Sequence, residues 1–366
     1  MRLRLGLLLV ILALCASLAL AADLQIWPKI EGLPNFYVGL PDSINGQHPI
    51  DRESYGEGWF WMAAYDDGAY SFANFMISNI GPGDNKGTVD FTLWEPDGNT
   101  YLDRVPFHRG SVTTAKDRLD VTVGKNRVWG SHPNFNVKVN TDKLGADLAY
   151  KAELPGFAVN SGRVVYGDVD DYYSVYTTIP RAKISGTLRT PKGTRQVTGR
   201  GYSDHGIVTM LPHHYSKAWH TLRCFDDKYT FDILEFTTPG KWGAKRVALT
   251  ILGKDGKILY GGSRYTLTPS GIKKDAKFGL SYGTRYDFAI DRPGKVKMDG
   301  HFSIKKQMHA IDLLSQLSLI ERKVAALFSK SYILRFVVEV QAEVTLPDGS
   351  RDTFTAPGVA EVIHLR

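Results

Sequence analysis

Alternation of apolar and polar residues dominates this chain. The run TVDFTLW at residues 88–94 sets Val89, Phe91 and Leu93 against Asp90 and Thr92. RLDVTV, FNVKVN and KRVALTIL keep the same two-residue period, which puts successive side chains on opposite faces of a strand. Asp97-Gly98, Asp255-Gly256 and Asp348-Gly349 fall between such runs. Asp-Gly predicts hairpin turns there, because Gly accepts positive φ and Asp bonds its own backbone. One stretch breaks the pattern. Residues 310–330 (AIDLLSQLSLIERKVAALFSK) space Leu313, Leu314, Leu317, Ile320, Val324, Leu327 and Phe328 for one helical face. The spacing predicts an amphipathic helix packed on a β-structure.

Strand-length runs at short intervals indicate sandwiches or barrels. With 36 glycines and 17 prolines punctuating the chain, a long helical bundle is excluded. The length is too great for one small barrel, so two antiparallel β-barrels are expected, packed together and meeting near Asp204 (residues 22–205 and 206–366). No fixed repeat and no low-complexity linker marks the junction.

The first residues, MRLRLGLLLVILALCASLALAAD, combine two arginines, an apolar run and small residues. Ala19-Leu20-Ala21 fits a signal-peptidase site, which predicts export with cleavage between Ala21 and Ala22, to the periplasm or the medium. The apolar run is short for a membrane span. Removing residues 1–21 takes away two arginines and no acids, so the formal charge falls from +7 to +5. It also leaves Cys224 as the only cysteine. No internal disulfide is then available, and the protein depends on a large core. The basic excess is spread out, with no Lys/Arg run longer than two, and gives no nucleic-acid signature.

Candidate chemistry concentrates in residues 199–236, GRGYSDHGIVTMLPHHYSKAWHTLRCFDDKYTFDILEF. Strand periodicity puts Tyr202 and Asp204 on one face, and Trp219 and Arg223 on one face of the next strand. LPHHYSK then connects a hairpin, and a third strand brings Asp232 or Glu235 inward. Three readings stand. An Asp and a His in an apolar interior have shifted pKa values and can pass protons to a substrate. Four histidines (205, 213, 214 and 220) invite a metal, but their spacing matches no familiar zinc pattern, so none is expected. Buried Asp, Arg and Tyr can also simply brace a junction, and residue types alone slightly favour that brace. A second cluster, EGWFWMAAYDDGAYSF, supplies Glu57, Trp59 and Trp61 as core packing or as a ligand-lining surface. Cys224 is expected to be an inert core thiol. The sequence has no G-x-S-x-G, H-E-x-x-H or P-loop motif.

YSVYTTIPRAKISGTL, VTGRGYSDHGIV and AWHTLRCFDDKYTFDILEF, together with the early Glu57-x-Trp59-Phe60-Trp61, resemble the lipocalin-like superfamily of AttH-type proteins and hydroxyneurosporene synthase, the carotenoid hydratase. The resemblance spans most of the chain beyond the leader and implies two lipocalin-like barrels around an apolar cavity. Tyr202, Asp204, His205, Trp219 and Arg223 fall on its motif positions. Gly206 stands where the superfamily usually has Asn. With the export that the leader predicts, the resemblance implies a binder of a hydrophobic, isoprenoid or lipid-like molecule, with Tyr202, Trp219, His220, Arg223, Glu57, Trp59 and Trp61 lining the site. The alternative it implies is a cofactor-independent hydratase or cyclase, with Asp204 as proton donor, His205 tuning it and Asp232 as a further acid. A non-binding envelope module is a third reading. Expected partners are a hydrophobic small molecule and transient contact with a membrane surface.

Overall fold

The computed structural model describes residues 23–29, 36–80, 84–107, 111–292, 294–313 and 331–365. The leader, and residues 314–330 of the expected helix, lie outside the described residues. Residues 310–312 are not helical: they end the Val296–Asp312 strand, paired with Tyr332, Ile333 and Leu334.

Two antiparallel sheets make up the fold, and each is laid down by one half of the chain. In the first, the Thr100–Phe107, Lys86–Trp94, Tyr70–Ser78 and Gly56–Tyr65 strands form a meander. The last of these pairs with Gly193–Val208, which pairs with Asp168–Thr190. The sheet continues through Gly145–Ala152, Asn134–Asn140, Asn126–Ser131, Leu119–Val123 and Val112–Thr114. The second sheet runs Lys257–Gly262, Arg246–Lys254, Tyr229–Thr237, Ala218–Phe225, Arg351–Leu365, Ser331–Thr345, Val296–Asp312, Ser281–Arg292 and Thr266–Lys274. This is the mostly β, lipocalin-like architecture expected from the periodicity.

The Asp-Gly turns form as anticipated. Asp255 (φ 48°) and Gly256 (φ 76°) both take left-handed backbone, the conformation that matches strand twist in a two-residue hairpin. They join Arg246–Lys254 to Lys257–Gly262.

Each sheet curls around an interior filled by its own side chains. Trp59, Trp61, Phe75, Phe91, Phe135 and Tyr150 pack inside the first, and Leu222, Cys224, Phe231, Phe288 and Phe336 inside the second. Cys224 is fully buried, and burial raises its thiol pKa well above the usual value, as expected for an inert core thiol. A third apolar layer lies between the sheets. There Tyr173 and Val175 of the first meet Trp219, Leu234 and Phe236 of the second, and Met62, Phe72 and Tyr202 meet Met308 and Val359. Arg181 fastens this seam. From the first sheet its guanidinium donates to the carbonyls of Asp226 (2.7 Å), Tyr229 (3.0 Å) and Asp227 (3.2 Å) in the second, and its Nε donates to Glu153 at 2.8 Å.

Glycine spacing in the GRG sequence has a steric cause. A Cβ at Gly199 would come within 2.1 Å of the Ala64 carbonyl oxygen, and one at Gly201 within 2.5 Å of the Tyr150 ring. Only glycine lets the Gly193–Val208 strand lie this close to its neighbours.

Candidate functional site

The Gly193–Val208 strand lies between the two interiors. Even-numbered Tyr202 and Asp204 face the seam, and odd-numbered His205 faces the interior of the first sheet, as strand periodicity requires. No hairpin joins this strand to Ala218–Phe225. It pairs with Asp168–Thr190 and Gly56–Tyr65, and Ala218–Phe225 pairs with Tyr229–Thr237 and Arg351–Leu365. The intervening segment carries the chain from one sheet to the other, with a one-turn helix at Pro212–Tyr215. Face-to-face packing therefore brings Asp204 and Arg223 together.

The expected site residues divide among three places. Glu57, Trp59, Trp61 and His205 lie inside the first sheet. Tyr202, Asp204, Trp219, Arg223 and Asp232 lie on the seam. His220 lies inside the second sheet, 5.8 Å from the Tyr286 ring centroid and 3.9 Å from Glu235. The four histidines do not converge: His213 and His214 meet edge-on on the short helix, with ring centroids 4.2 Å apart, away from His205 and His220.

Charge is most concentrated on the seam. Arg223 donates from Nη1 to Glu361 at 2.8 Å and to Thr221 at 2.5 Å, and from Nη2 to Asp204 at 3.4 Å. Its guanidinium carbon stands 4.7 Å from the Tyr202 ring centroid and 5.3 Å from that of Phe60, where the ring faces favour a cation. Arg335 donates to the other Glu361 oxygen at 2.7 Å, donates to His309 Nε2 at 3.0 Å, and lies over Phe72. Burial alone would raise the Glu361 pKa, but Arg335 and Arg223 overcome it and lower it to about 2. For Asp204 burial wins over Arg223, and its pKa is raised.

Asp232 is the residue this network leaves over. It lies directly across the strand pair from Arg223 and is 4% exposed. Neither carboxyl oxygen has a hydrogen-bond partner among the described residues. Burial raises its pKa well above the usual value, against the attraction of Arg223, and the hydrogen-bonding capacity of both its oxygens is unspent among the described residues. Trp219 belongs to the adjacent aromatic cluster, stacked on Phe236 at 4.7 Å and edge-on to Tyr173 at 5.1 Å. A cavity of about 380 Å³ opens on the same seam, between Glu153, Leu154 and Arg181 on one side and Asp227, Lys228 and Thr230 on the other.

Inside the first sheet, Glu57 is fully buried and accepts from His205 Nε2 at 2.9 Å, from the His48 backbone N–H at 3.0 Å and from Tyr55 Oη. His48 Nδ1 is 3.2 Å from the same carboxylate. Burial would raise the Glu57 pKa, but the hydrogen bonds from His205 and His48 bring it down to about 2. Trp59 stacks on the His205 ring with centroids 4.8 Å apart. Among the described residues, His48, Glu57 and His205 form a group whose ligand-type atoms converge within 4.8 Å.

Sequence reasoning missed Glu361, Arg335 and Arg181, and His48 and Tyr55 beside Glu57. The first two carried a signal. Each is a single charge on an otherwise apolar strand face (AEVIHL and SYILRFVV), and such charges are buried only when paired.

Solved structures share this fold at low sequence identity. A putative AttH from Nitrosomonas europaea matches over 92% of this chain and 98% of its own, with TM-score 0.64 and 12% identity. CghA matches over 90% and 99%, with TM-score 0.61 and 14% identity. Kievitone hydratase from Nectria haematococca matches over 92% and 94%, with TM-score 0.55 and 12% identity. The AttH-type and hydratase resemblance thus holds for the fold. Sequence relatives lie elsewhere. The ceramide-binding protein svf1 of Aspergillus fumigatus is 25% identical over 219 residues, 58% of this chain and 54% of that protein. Its Yarrowia lipolytica counterpart is 24% identical over 241 residues, 59% and 60%, and that of Emericella nidulans 29% over 173 residues, 46% and 44%. The chain therefore spans about half of the length of these curated relatives. The Svf1 family model matches residues 57–362, from the buried Glu57 through the Glu361 that holds Arg223 and Arg335, and the chain belongs to the Svf1 family.

Proposed function

We propose that this protein binds a ceramide-class lipid, with the polar head of the lipid held at the seam by Asp232, Asp204 and Arg223. The observation that carries this reading is the Asp232 carboxyl, buried and without a hydrogen-bond partner among the described residues, beside an arginine held by Glu361, Thr221 and Asp204. Buried polar groups are normally satisfied, and leaving one unpaired costs about 1–3 kcal/mol. A ligand that supplies hydroxyl and amide groups would recover that cost. A ceramide head has both, and the apolar cluster of Met62, Phe72, Tyr202, Met308 and Val359 lies on the same seam, chemistry suited to the chains attached to it. The names of the fungal relatives support the same ligand class. The leader composition adds the proposal that the protein acts outside the cytoplasm, which N-terminal sequencing from an envelope fraction checks: the chain should begin at Ala22.

A vesicle assay tests the binding. The protein should carry a fluorescent short-chain ceramide from donor to acceptor vesicles and leave a phosphatidylcholine of the same label behind. Equal transfer of both lipids, or of neither, defeats the reading.

A second reading rests on Asp204. A carboxyl with a raised pKa can donate a proton, and a carbocation formed by protonating an alkene would be steadied by the Trp219 face. Under this reading the wild type makes a product from a polyene that Asp204→Asn does not.

A further inference from the structure

The first interior holds an arrangement the lipid proposal does not use. His205 Nδ1 is 2.6 Å from the Ile44 carbonyl oxygen. A carbonyl only accepts, so Nδ1 carries a proton, and the 2.9 Å contact of Nε2 with Glu57 Oε1 is bridged by a proton in the metal-free protein or by a metal ion in its place. His48 Nδ1 approaches the same oxygen at 3.2 Å. Two imidazole nitrogens thus converge on one oxygen of a fully buried carboxylate. Lone pairs so placed repel unless something positive lies among them.

We propose that His48, Glu57 and His205 form a divalent transition-metal site of the zinc type, which clips the segment carrying Ile44 and His48 onto the barrel. Separations of 2.9 and 3.2 Å approach the roughly 3.3 Å between neighbouring ligands of a tetrahedral ion bound at about 2.0–2.1 Å. The donor set, two imidazoles and a carboxylate, suits zinc and its neighbours rather than magnesium or calcium. The surroundings are those of a held ligand. The Nδ1–H bond to a backbone carbonyl fixes the His205 tautomer and ring plane, as a metal-bound imidazole requires. Trp59 stacks on that ring nearly parallel, at 8°. The Trp59 indole N–H donates to the Asn45 carbonyl at 2.9 Å, beside Ile44. His48 is the open side of the site, with its side chain 36% exposed, so water reaches the fourth position from there. The ion would tie three separate parts of the chain: the turn at Asp42–Asn45 with His48, the Gly56–Tyr65 strand and the Gly193–Val208 strand.

Full-length protein stripped with EDTA and desalted is titrated with zinc sulfate, with magnesium sulfate as the comparison. Bound metal is read by mass spectrometry of the ion and stability by thermal unfolding. The expected result is one zinc per chain, a melting temperature that rises with zinc and not with magnesium, and binding at least about ten-fold weaker in His48→Ala. His48→Gln, which retains bulk at this half-exposed position, should show the same loss, and so separates a missing ligand from a disturbed fold. A wild type that takes up no zinc overturns the proposal and leaves a proton between His205 and Glu57. Uptake unchanged in both His48 variants overturns it too, and places the ion elsewhere, such as at His213–His214.

Discussion

Asp204 and His205 are consecutive in the chain, yet they serve different interiors. Asp204 meets Arg223 of the other sheet at 3.4 Å, and His205 meets Glu57 of its own sheet at 2.9 Å. The two substitutions should therefore differ in kind. His205→Ala leaves Glu57 ionised, buried and short of a donor, a loss of about 3–5 kcal/mol. Asp204→Ala leaves Arg223 still bound to Glu361, a loss of about 1–2 kcal/mol. Urea denaturation measures both, and an equal or reversed order would contradict the division of this strand between two interiors.

Arg181 should hold the sheets together from the seam. In Arg181→Met the carbonyls of Asp226, Asp227 and Tyr229 lose their donor, for about 2–4 kcal/mol. Amide exchange should quicken first around residues 226–230 and in the facing strand. A variant as stable as the wild type would show that the turn finds other donors.

Glu361 gives the seam a pH dependence of definite sign. Its folded pKa, about 2, lies below the ordinary glutamate value of about 4.3. Its stabilisation is therefore fully present above pH ~4.5 and is lost as pH falls from there towards 2. The groups facing it are Arg335, Arg223 and Thr221, with Asp204 beyond Arg223 and His309 beyond Arg335. Glu361→Gln should unfold more easily at pH 7 and lose less further stability on acidification to pH 2. Parallel curves for the two proteins would remove Glu361 as the cause.

Gly201 and Gly206 of GRGYSDHG should respond differently. Gly201→Ala drives a methyl into the Tyr150 ring and the Ile184 side chain, an overpacking cost of about 1–3 kcal/mol. At Gly206 a Cβ would meet nothing nearer than the Ser174 carbonyl oxygen at 3.5 Å, so Gly206→Ala should melt within a few degrees of the wild type. The Asn usual at this position in the resembling superfamily has a place for its Cβ.

What the sequence revealed was local. Alternation placed Tyr202 with Asp204 and opposed them to His205, because side-chain direction in a strand depends only on neighbours in the chain. The Asp-Gly hairpins were legible for the same reason. The expected hairpin between residues 199–208 and 218–225 did not form, since residues 209–217 change sheets instead, and that choice is made by the burial of Tyr215 and Trp219 against Tyr173. Strand length misled at 310–312, where an amphipathic pattern begins inside a strand that Ser331–Thr345 continues to pair. Residue types gave a narrow preference for a brace over a site, and the seam contains both: Arg223, Glu361 and Arg335 satisfy one another, and Asp232 remains. No reading of Asp232 alone could tell that Arg223, opposite it, would be drawn instead to residues 138 positions further on and 19 positions back.

If Asp232 is kept unpaired for a ligand, Asp232→Leu should separate its cost to the fold from its use in binding. An apolar side chain of similar size removes the unsatisfied carboxyl, so the variant should be more stable than the wild type by about 1–3 kcal/mol in urea denaturation. In the vesicle assay it should transfer fluorescent ceramide at least about ten-fold more slowly, the equivalent of 1.4 kcal/mol in head-group binding. A variant that is stabilised and still carries ceramide at the wild-type rate would rule out a head-group role for Asp232, which would then be a cost of the fold with no ligand to meet it.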